Sequence, residues 1–255
     1  MGAYPVASLW LCASCSLSWV PVAVDAAEEP PRGETVMQRP RPEITPLGLS
    51  IGEFLVLPRL SLAGAYDDNL LAEDVAERSG FRSEISPEVE VRSDWGNHAL
   101  NLLANADIGQ NSEFGSEDYE DWAVSTDGQL DVLRTVRVYA GAGGGHDHVE
   151  RTSPEDSNGI EPTQFDFATA FGRYVQQFGR FSLQVNTEFD RNDFQDVLGV
   201  RNGIAAPINQ DDRDRTEYRL GVRGGYEILR DYEAYLRVTN NRREYDDLLD
   251  ISNTD

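Results

Sequence analysis

Residues 81–95 have the sequence FRSEISPEVEVRSDW, in which apolar and charged side chains alternate. One parity is apolar and contains Phe81, Ile85, Val89, Val91 and Trp95. The other parity is charged and contains Arg82, Glu84, Glu88, Glu90, Arg92 and Asp94. Successive residues of a strand face opposite sides, whereas a helix would spread these charges around its circumference. The segment therefore predicts a β-strand with one apolar face and one face in contact with water.

The same alternation continues along the chain and predicts about nine strands. They cover residues 59–66, 81–95, 99–109, 122–132, 136–145, 163–178, 181–190, 216–228 and 232–245. Their lengths are close to the roughly 10 residues that a tilted strand needs to cross a membrane. The pattern is thus typical of strands that expose one face to lipid and the other to water.

The connections between these strands alternate in length. The short ones are residues 96–97, 133–135, 178–179 and 229–231, and the long ones are 67–80, 110–120, 146–162 and 191–215. Up-and-down outer-membrane barrels have short turns at one end and long loops at the other. A soluble sandwich has no reason to collect its long loops at one end, although a lipocalin-like barrel partly could. We therefore predict an all-β fold, an up-and-down antiparallel transmembrane β-barrel over residues 48–255.

Two sets of residues follow from the predicted barrel. Charged residues of the polar parity are expected to line the lumen: Arg59, Arg82, Glu84, Glu88, Glu90, Arg92, Asp107, Asp127, Asp131, Glu188, Arg219 and Arg223. Aromatic residues near the strand ends are expected to form girdles at the two membrane interfaces: Tyr66, Phe81, Phe165, Phe189 and Tyr218 at the long-loop end, and Trp95, Phe181 and Tyr226 at the short-turn end. The alternative is that these aromatic residues form the core of a sandwich.

Two residues conflict with this pattern. Pro87 lies in the middle of a strand on the apolar parity, so it must lose a ladder hydrogen bond or mark a bulge. Arg173 falls on the parity of 163–178 that we assign to lipid. It must reach toward the periplasmic rim, or Gly172 must form a bulge that shifts the parity.

The beginning of the chain predicts export. Residues 4–24 form the one continuous apolar stretch, and the small residues Val24 and Ala26 lie where signal peptidase requires them, although no Lys or Arg precedes the stretch. We predict a signal peptide over 1–26 and a disordered periplasmic lead over 27–47, which is rich in proline and charge. Cys12 and Cys15 both lie in the signal peptide, so the rest of the chain has no thiol chemistry.

Composition and motifs limit the possible functions. The 255 residues include 22 basic and 45 acidic ones, a net charge of -23, which argues against nucleic acid as a partner. No Gly-x-Ser-x-Gly motif occurs and no serine is spaced with a histidine as in a hydrolase, so we predict no catalytic residue, no enzyme activity and no cofactor. The glycine-rich residues 139–145 lack the lysine of a phosphate loop and predict a strand of small residues.

A metal site is not predicted, and the candidates for one are His146 and His148. Two histidines one residue apart on a strand point the same way, and Glu150 and Asp156 could add oxygen ligands. The alternative is a solvated polar loop. The acidic residues of the other long loops could likewise serve only solubility, or could bind divalent cations that bridge to lipopolysaccharide phosphates.

Several stretches carry a resemblance to a known family: AYDDNLLAED (65–74), ISPEVEVRSDWGNHAL (85–100), GSEDYEDW (115–122), RTSPEDSNGIEPT (151–163), NQDDRDRTEYRLGVRGGYEI (209–228) and YEAYLRVTNNRREYD (232–246). With them, residues 48–246 resemble the putative β-barrel porin 2 family of Gram-negative outer-membrane proteins. The resemblance implies a bacterial outer-membrane barrel, with some members associated with exopolysaccharide or capsule export. Members run longer and end on a strand with a terminal aromatic residue, so we expect this chain to be C-terminally truncated and its barrel incomplete.

Two functions share all these features. One is a porin-like channel or a barrel associated with exopolysaccharide export, and the other is a structural or adhesive barrel with a sealed lumen and partner-binding loops. Lumen charges of both signs permit either a polar channel or a sealed ion-pair network. Acidic residues outnumber basic ones on the predicted lumen face, so an open lumen is expected to prefer cations. The expected partners are outer-membrane lipids, lipopolysaccharide, the barrel assembly machinery and polysaccharide.

Overall fold

The computed structural model describes residues 47–72, 77–157, 159–201, 204–230 and 232–246. The predicted signal peptide and nearly all of the predicted lead lie outside these residues. The described part is all-β and contains no α-helix, and its helical turns are two short 3-10 segments, Gly115–Glu117 and Asp211–Arg213. The predicted fold class is therefore confirmed.

Nine long strands and three short ones make up the described structure. The long ones are β2 (Phe54–Asp67), β3 (Gly80–Ser93), β4 (Ala99–Asn111), β5 (Tyr119–Leu133), β6 (Val136–His148), β7 (Gln164–Phe178), β8 (Phe181–Phe194), β11 (Arg215–Leu229) and β12 (Tyr232–Tyr245). The short ones are β1 (Leu49–Ile51), β9 (Val197–Arg201) and β10 (Ile204–Ile208). Each predicted strand matches one of the nine long strands. The long strands have 13 to 15 residues, so they exceed the roughly 10 that a membrane requires.

Ten of these strands form one antiparallel sheet in the order β1 to β8, then β11 and β12. Strands of this sheet pair in the order in which they follow one another along the chain, with only the β9–β10 hairpin inserted between β8 and β11. This order is the predicted up-and-down topology. Among the described residues, β1 and β12 are the two edges of the sheet, so the sheet is not closed. The hairpin of β9 and β10 lies in the connection between β8 and β11, where we predicted only a loop. The sequence signal for this hairpin is the dipeptide Asn202-Gly203, which is typical of two-residue turns between strands.

The turn between β7 and β8 shows why the short connections are tight. Phe178 pairs with Phe181, so only Gly179 and Arg180 connect the strands. Gly179 has a φ of 62°, which the two-residue turns of twisted hairpins need at a central position. A residue with a Cβ would be strained there.

In soluble proteins the apolar face of a sheet is buried and the charged face is exposed. The two faces of this sheet show the reverse. Apolar side chains of one face are exposed, for example Leu62 at 71%, Phe181 at 60% and Leu236 at 73%. Carboxylates of the other face are better covered, with 18% of the Glu90 side chain and 8% of the Glu217 side chain exposed. Soluble proteins rarely expose apolar patches of such extent, so the apolar face requires a cover.

Pro87 loses hydrogen bonds without forming a bulge. It pairs with Leu60 of β2 in an uninterrupted ladder. On the other side, the ladder to β4 stops after Ile85 and resumes at Glu88 in the same register. Of the two solutions predicted for this proline, the structure therefore contains the lost ladder bond.

The predicted parity of β7 is wrong by one residue. Arg173 pairs with Tyr139 and Asn186 and lies on the polar face, and the ladder between β6 and β7 has no register shift at Gly172. Arg173 therefore needs neither a bulge nor a path to the rim. By the same register Phe165 lies on the polar face, and Asp166, which we assigned to the lumen, lies on the apolar one.

Candidate functional site

The polar face of the sheet, formed by β2 to β8, β11 and β12, is the candidate functional surface. All twelve charged residues predicted to line a lumen lie on it. The described strands place fourteen carboxylates there: Asp67, Glu84, Glu88, Glu90, Asp107, Asp121, Asp127, Asp131, Asp147, Glu188, Asp190, Glu217, Glu227 and Glu233. They also place ten arginines there: Arg59, Arg82, Arg92, Arg137, Arg173, Arg215, Arg219, Arg223, Arg237 and Arg243. Acidic groups therefore exceed basic ones on this face by four, in the predicted direction.

Ion pairs cross this face most densely on β8, β11 and β12. The Arg219 guanidinium lies 2.7 Å from Glu188, 3.2 Å from Glu217 and 3.3 Å from Asp190. Glu217 also pairs with Arg243. Arg219 therefore pairs with carboxylates of its own strand, β11, and of the neighbouring strand β8. A regular sheet brings such residues of neighbouring strands side by side.

Negative charge is in excess on the part of the polar face that β2 to β5 form. These strands hold eight of its fourteen carboxylates but three of its ten arginines. Two of these carboxylates accept hydrogen bonds from neutral donors: Asn101 Nδ2 donates to Asp127 Oδ2 at 3.0 Å, and the Tyr119 hydroxyl donates to Glu84 Oε2 at 3.0 Å. Most of the excess negative charge of the polar face therefore lies on this side of the sheet.

Aromatic rings of β7 cover glycines of β6 on the polar face. A Cβ on Gly141 would collide with the Phe171 ring, and one on Gly145 would come within 2.9 Å of Phe167 Cζ. The glycine-rich strand is thus confirmed as a small-residue strand, and its missing side chains make room for rings from the next strand. This packing also explains why β7 carries large apolar residues on both parities.

Six of the eight predicted girdle residues lie on the apolar face of the strands: Tyr66, Phe81, Phe181, Phe189, Tyr218 and Tyr226. Two pairs of rings contact each other across β8 and β11: Phe189 with Tyr218 and Phe181 with Tyr226. Trp95 follows the end of β3 and packs edge-on against Phe54. Phe165 is the exception, because it stacks on Phe194 on the polar face.

The long loops beyond the sheet are tied together by a buried ion pair. Arg151 Nε donates to Glu117 Oε2 at 2.8 Å and Arg151 Nη2 to Glu117 Oε1 at 2.7 Å. Burial by itself lowers the pKa of Arg151, but the hydrogen bonds and charge of Glu117 outweigh it and leave that pKa raised. The pair joins the loop before β5 to the loop after β6. In the connection between β8 and β11, Arg213 Cζ lies 4.0 Å from the centroid of the Phe194 ring.

The two histidines proposed as metal ligands have different partners. His146 Nδ1 lies 2.8 Å from Asp166 Oδ1, a residue of the apolar face. His148 Nδ1 lies 2.8 Å from Asp121 Oδ2 on the polar face, and its ring stacks on Tyr119. The side chains of these two candidate ligands therefore do not point to a shared site. Asp156, another proposed ligand, contacts Arg151.

Comparison with known proteins gives one match. A family model described as putative beta-barrel porin 2 matches residues 41–255. No curated protein and no solved structure matches the chain. In the described residues, no helix has the length and apolar character needed to span a membrane.

Proposed function

The chain belongs to the putative beta-barrel porin 2 family, and from this premise we propose that it forms a porin-like channel across the outer membrane. The observation that carries the proposal is the inverted burial of the two faces. The apolar face suits lipid hydrocarbon, and the polar face suits a water-filled lumen. In this proposal the fourteen carboxylates and ten arginines of the polar face line the path of the solute.

The charge distribution supports passage of small ions with a preference for cations. Strands β2 to β5 carry eight carboxylates and three arginines on the polar face, so most of its excess negative charge lies there. A confined negative potential enriches cations, and rings of acidic side chains select for them. The ion pairs around Arg219 contribute little net field because three arginines, Arg215, Arg219 and Arg243, balance three carboxylates, Glu188, Asp190 and Glu217.

A second candidate is a structural or adhesive barrel with a sealed lumen. The observations that favour it are the ion pairs across β8, β11 and β12 and the loops tied together by Arg151 and Glu117. Such a network could close a lumen and leave the loops to bind a surface partner. An export role for exopolysaccharide rests on the family alone.

The proposal also includes the cellular context. The protein would be exported by the signal peptide of residues 1–26, inserted by the barrel assembly machinery and surrounded by lipopolysaccharide at its long-loop end. The exposed acidic residues of the loops would then face lipopolysaccharide phosphates, with divalent cations between them.

Single-channel recording in planar bilayers tests the proposal. The purified protein is reconstituted at 1 M potassium chloride, and Asp127→Asn is recorded beside it as a matched variant. We expect discrete conductance steps, and a cation preference at low salt that is weaker in the variant. Absence of conductance from protein that is folded and inserted would refute the channel and favour the sealed barrel.

A further inference from the structure

His148, Asp121 and Asp147 form a compact group at the loop end of the polar face. Their candidate ligand atoms all lie within 4.8 Å of one another. Asp121 and His148 are largely buried, with 16% and 7% of their side chains exposed. Asp121 comes from β5, whereas Asp147 and His148 are the last two residues of β6. The group therefore joins two adjacent strands where they enter the loops.

We propose that these three residues bind a divalent transition-metal ion, with zinc as the best match. One imidazole nitrogen and two carboxylate oxygens are a donor set that zinc accepts, whereas calcium and magnesium prefer oxygen alone. Ligands at about 2.0–2.2 Å from a tetrahedral ion lie about 3.3–3.6 Å apart. The candidate atoms, which lie within 4.8 Å of one another, would therefore have to approach on binding by up to about 1.5 Å.

Neighbouring groups hold the imidazole in place. The His148 ring stacks on Tyr119, with ring centroids 4.4 Å apart, and the Tyr119 hydroxyl donates to Glu84 at 3.0 Å. Such outer contacts fix the ring orientation of metal-binding histidines. Glu150 Oε1 lies 3.9 Å from His148 Nε2 and could supply a fourth ligand, which would be the third oxygen.

The charge balance also favours a cation. The two aspartates carry up to two negative charges, and Glu150, whose Oε1 lies 3.9 Å from His148 Nε2, is acidic as well. Without an ion, His148 shares a hydrogen bond with Asp121 at 2.8 Å. A bound ion would take the place of that hydrogen bond between the two side chains.

His146 provides a matched control. It lies two residues before His148 on the same strand and also bonds to an aspartate, Asp166, at 2.8 Å. That aspartate is on the opposite face of the sheet, so His146 is outside the group. A loss of metal binding on substitution of His148 but not of His146 therefore distinguishes a specific site from general binding of metal by histidines and acidic loops.

Calorimetric titration of the detergent-folded protein with zinc chloride tests the proposal. Both thiols are first removed by Cys12→Ser and Cys15→Ser, because cysteines bind zinc. We expect one equivalent to bind. His148→Ala should weaken binding at least tenfold, and His146→Ala should change it less than twofold.

The variant Asp147→Asn tests the proposal with a substitution that should not disturb folding. The asparagine oxygen can still accept the hydrogen bond that the His148 backbone N–H donates to Asp147 at 2.8 Å, but the charge is gone. We expect this variant to fold and to bind zinc at least fivefold more weakly. Absence of binding by the parent protein, or equal losses in the His146 and His148 variants, would overturn the proposal. Neither result bears on conductance, so the channel proposal is tested separately.

Discussion

The apolar and polar faces of the sheet are stabilised by different interactions. The apolar face presents exposed leucine, valine and aromatic side chains that need hydrocarbon around them. The polar face is stabilised by contacts within the chain, because its charges pair across strands and its glycines are covered by rings of the next strand. The difference indicates that the membrane stabilises one side of this protein and that the chain itself stabilises the other. Substitutions on the two faces should therefore lower the free energy of unfolding by unequal amounts.

The largest inequality is expected for a charge placed on each face of β3. Val91→Arg should lower the free energy of unfolding in lipid by about 2–4 kcal/mol, because the guanidinium must leave water near the bilayer midplane. Glu90→Arg removes the contact of Glu90 with Arg92 at 2.6 Å, yet it should cost less than about 1 kcal/mol because water remains on that face. Urea titration of both variants in liposomes checks this, and equal costs would break the comparison.

The next effect concerns the glycines of the polar face. In Gly141→Ala the new Cβ would lie 2.9 Å from the Thr126 carbonyl oxygen and would collide with the Phe171 ring. We expect a loss of about 1–3 kcal/mol from such overpacking. Gly224→Ala on the apolar face is the control, since no atom lies within 4 Å of that Cβ. Thermal unfolding, followed by loss of the compact band in unheated gels, should rank the two variants in this order.

A smaller effect is expected from the ion pairs. Arg219→Gln leaves Glu188, Asp190 and Glu217 without their shared cation and should cost about 1 kcal/mol. Arg59→Gln removes one exposed pair, with Glu88 at 3.2 Å, and should cost less than about 0.5 kcal/mol. Denaturant midpoints at low and high salt measure the loss of stability in both variants. Salt should reduce the difference in stability between the two variants. A difference that grows with salt would argue against an electrostatic network.

The smallest effect is expected on selectivity. If the polar face lines a channel, Asp127→Asn should reduce the cation preference by roughly twofold and leave folding unchanged. Glu188→Gln should reduce it less, because Arg219 already balances that carboxylate at 2.7 Å. Reversal potentials in a potassium chloride gradient compare the two variants. An anion preference in the parent protein would contradict the charge count.

How well the faces could be predicted depends on the strand. In β3 the charges occupy one parity, so alternation alone assigned both faces correctly. In β7 both parities carry apolar residues, and the face of Phe165 and Arg173 follows only from their partners in β6 and β8. Covering of Gly141 by Phe171 is a contact between strands, which a pattern within one strand does not reveal.

The histidines show the same limit at the level of a site. Spacing along β6 suggested that His146 and His148 point the same way, as regular strand geometry requires. In the structure His148 turns to Asp121 at the end of its strand, and that aspartate is 27 residues earlier in sequence. The residue types were thus predictable, but the grouping depends on the register of β5 and β6.

The central claim is that lipid contacts the apolar face and water contacts the polar face. Spin labels attached to single cysteines at Ser86, Pro87, Glu88, Val89, Glu90 and Val91, in the Cys12→Ser, Cys15→Ser background, test it directly in liposomes. We predict that labels at Pro87, Val89 and Val91 are relaxed by oxygen and shielded from a water-soluble nickel complex, and that labels at the other three show the reverse. The same accessibility at all six positions, or alternation of the opposite sign, would contradict the account.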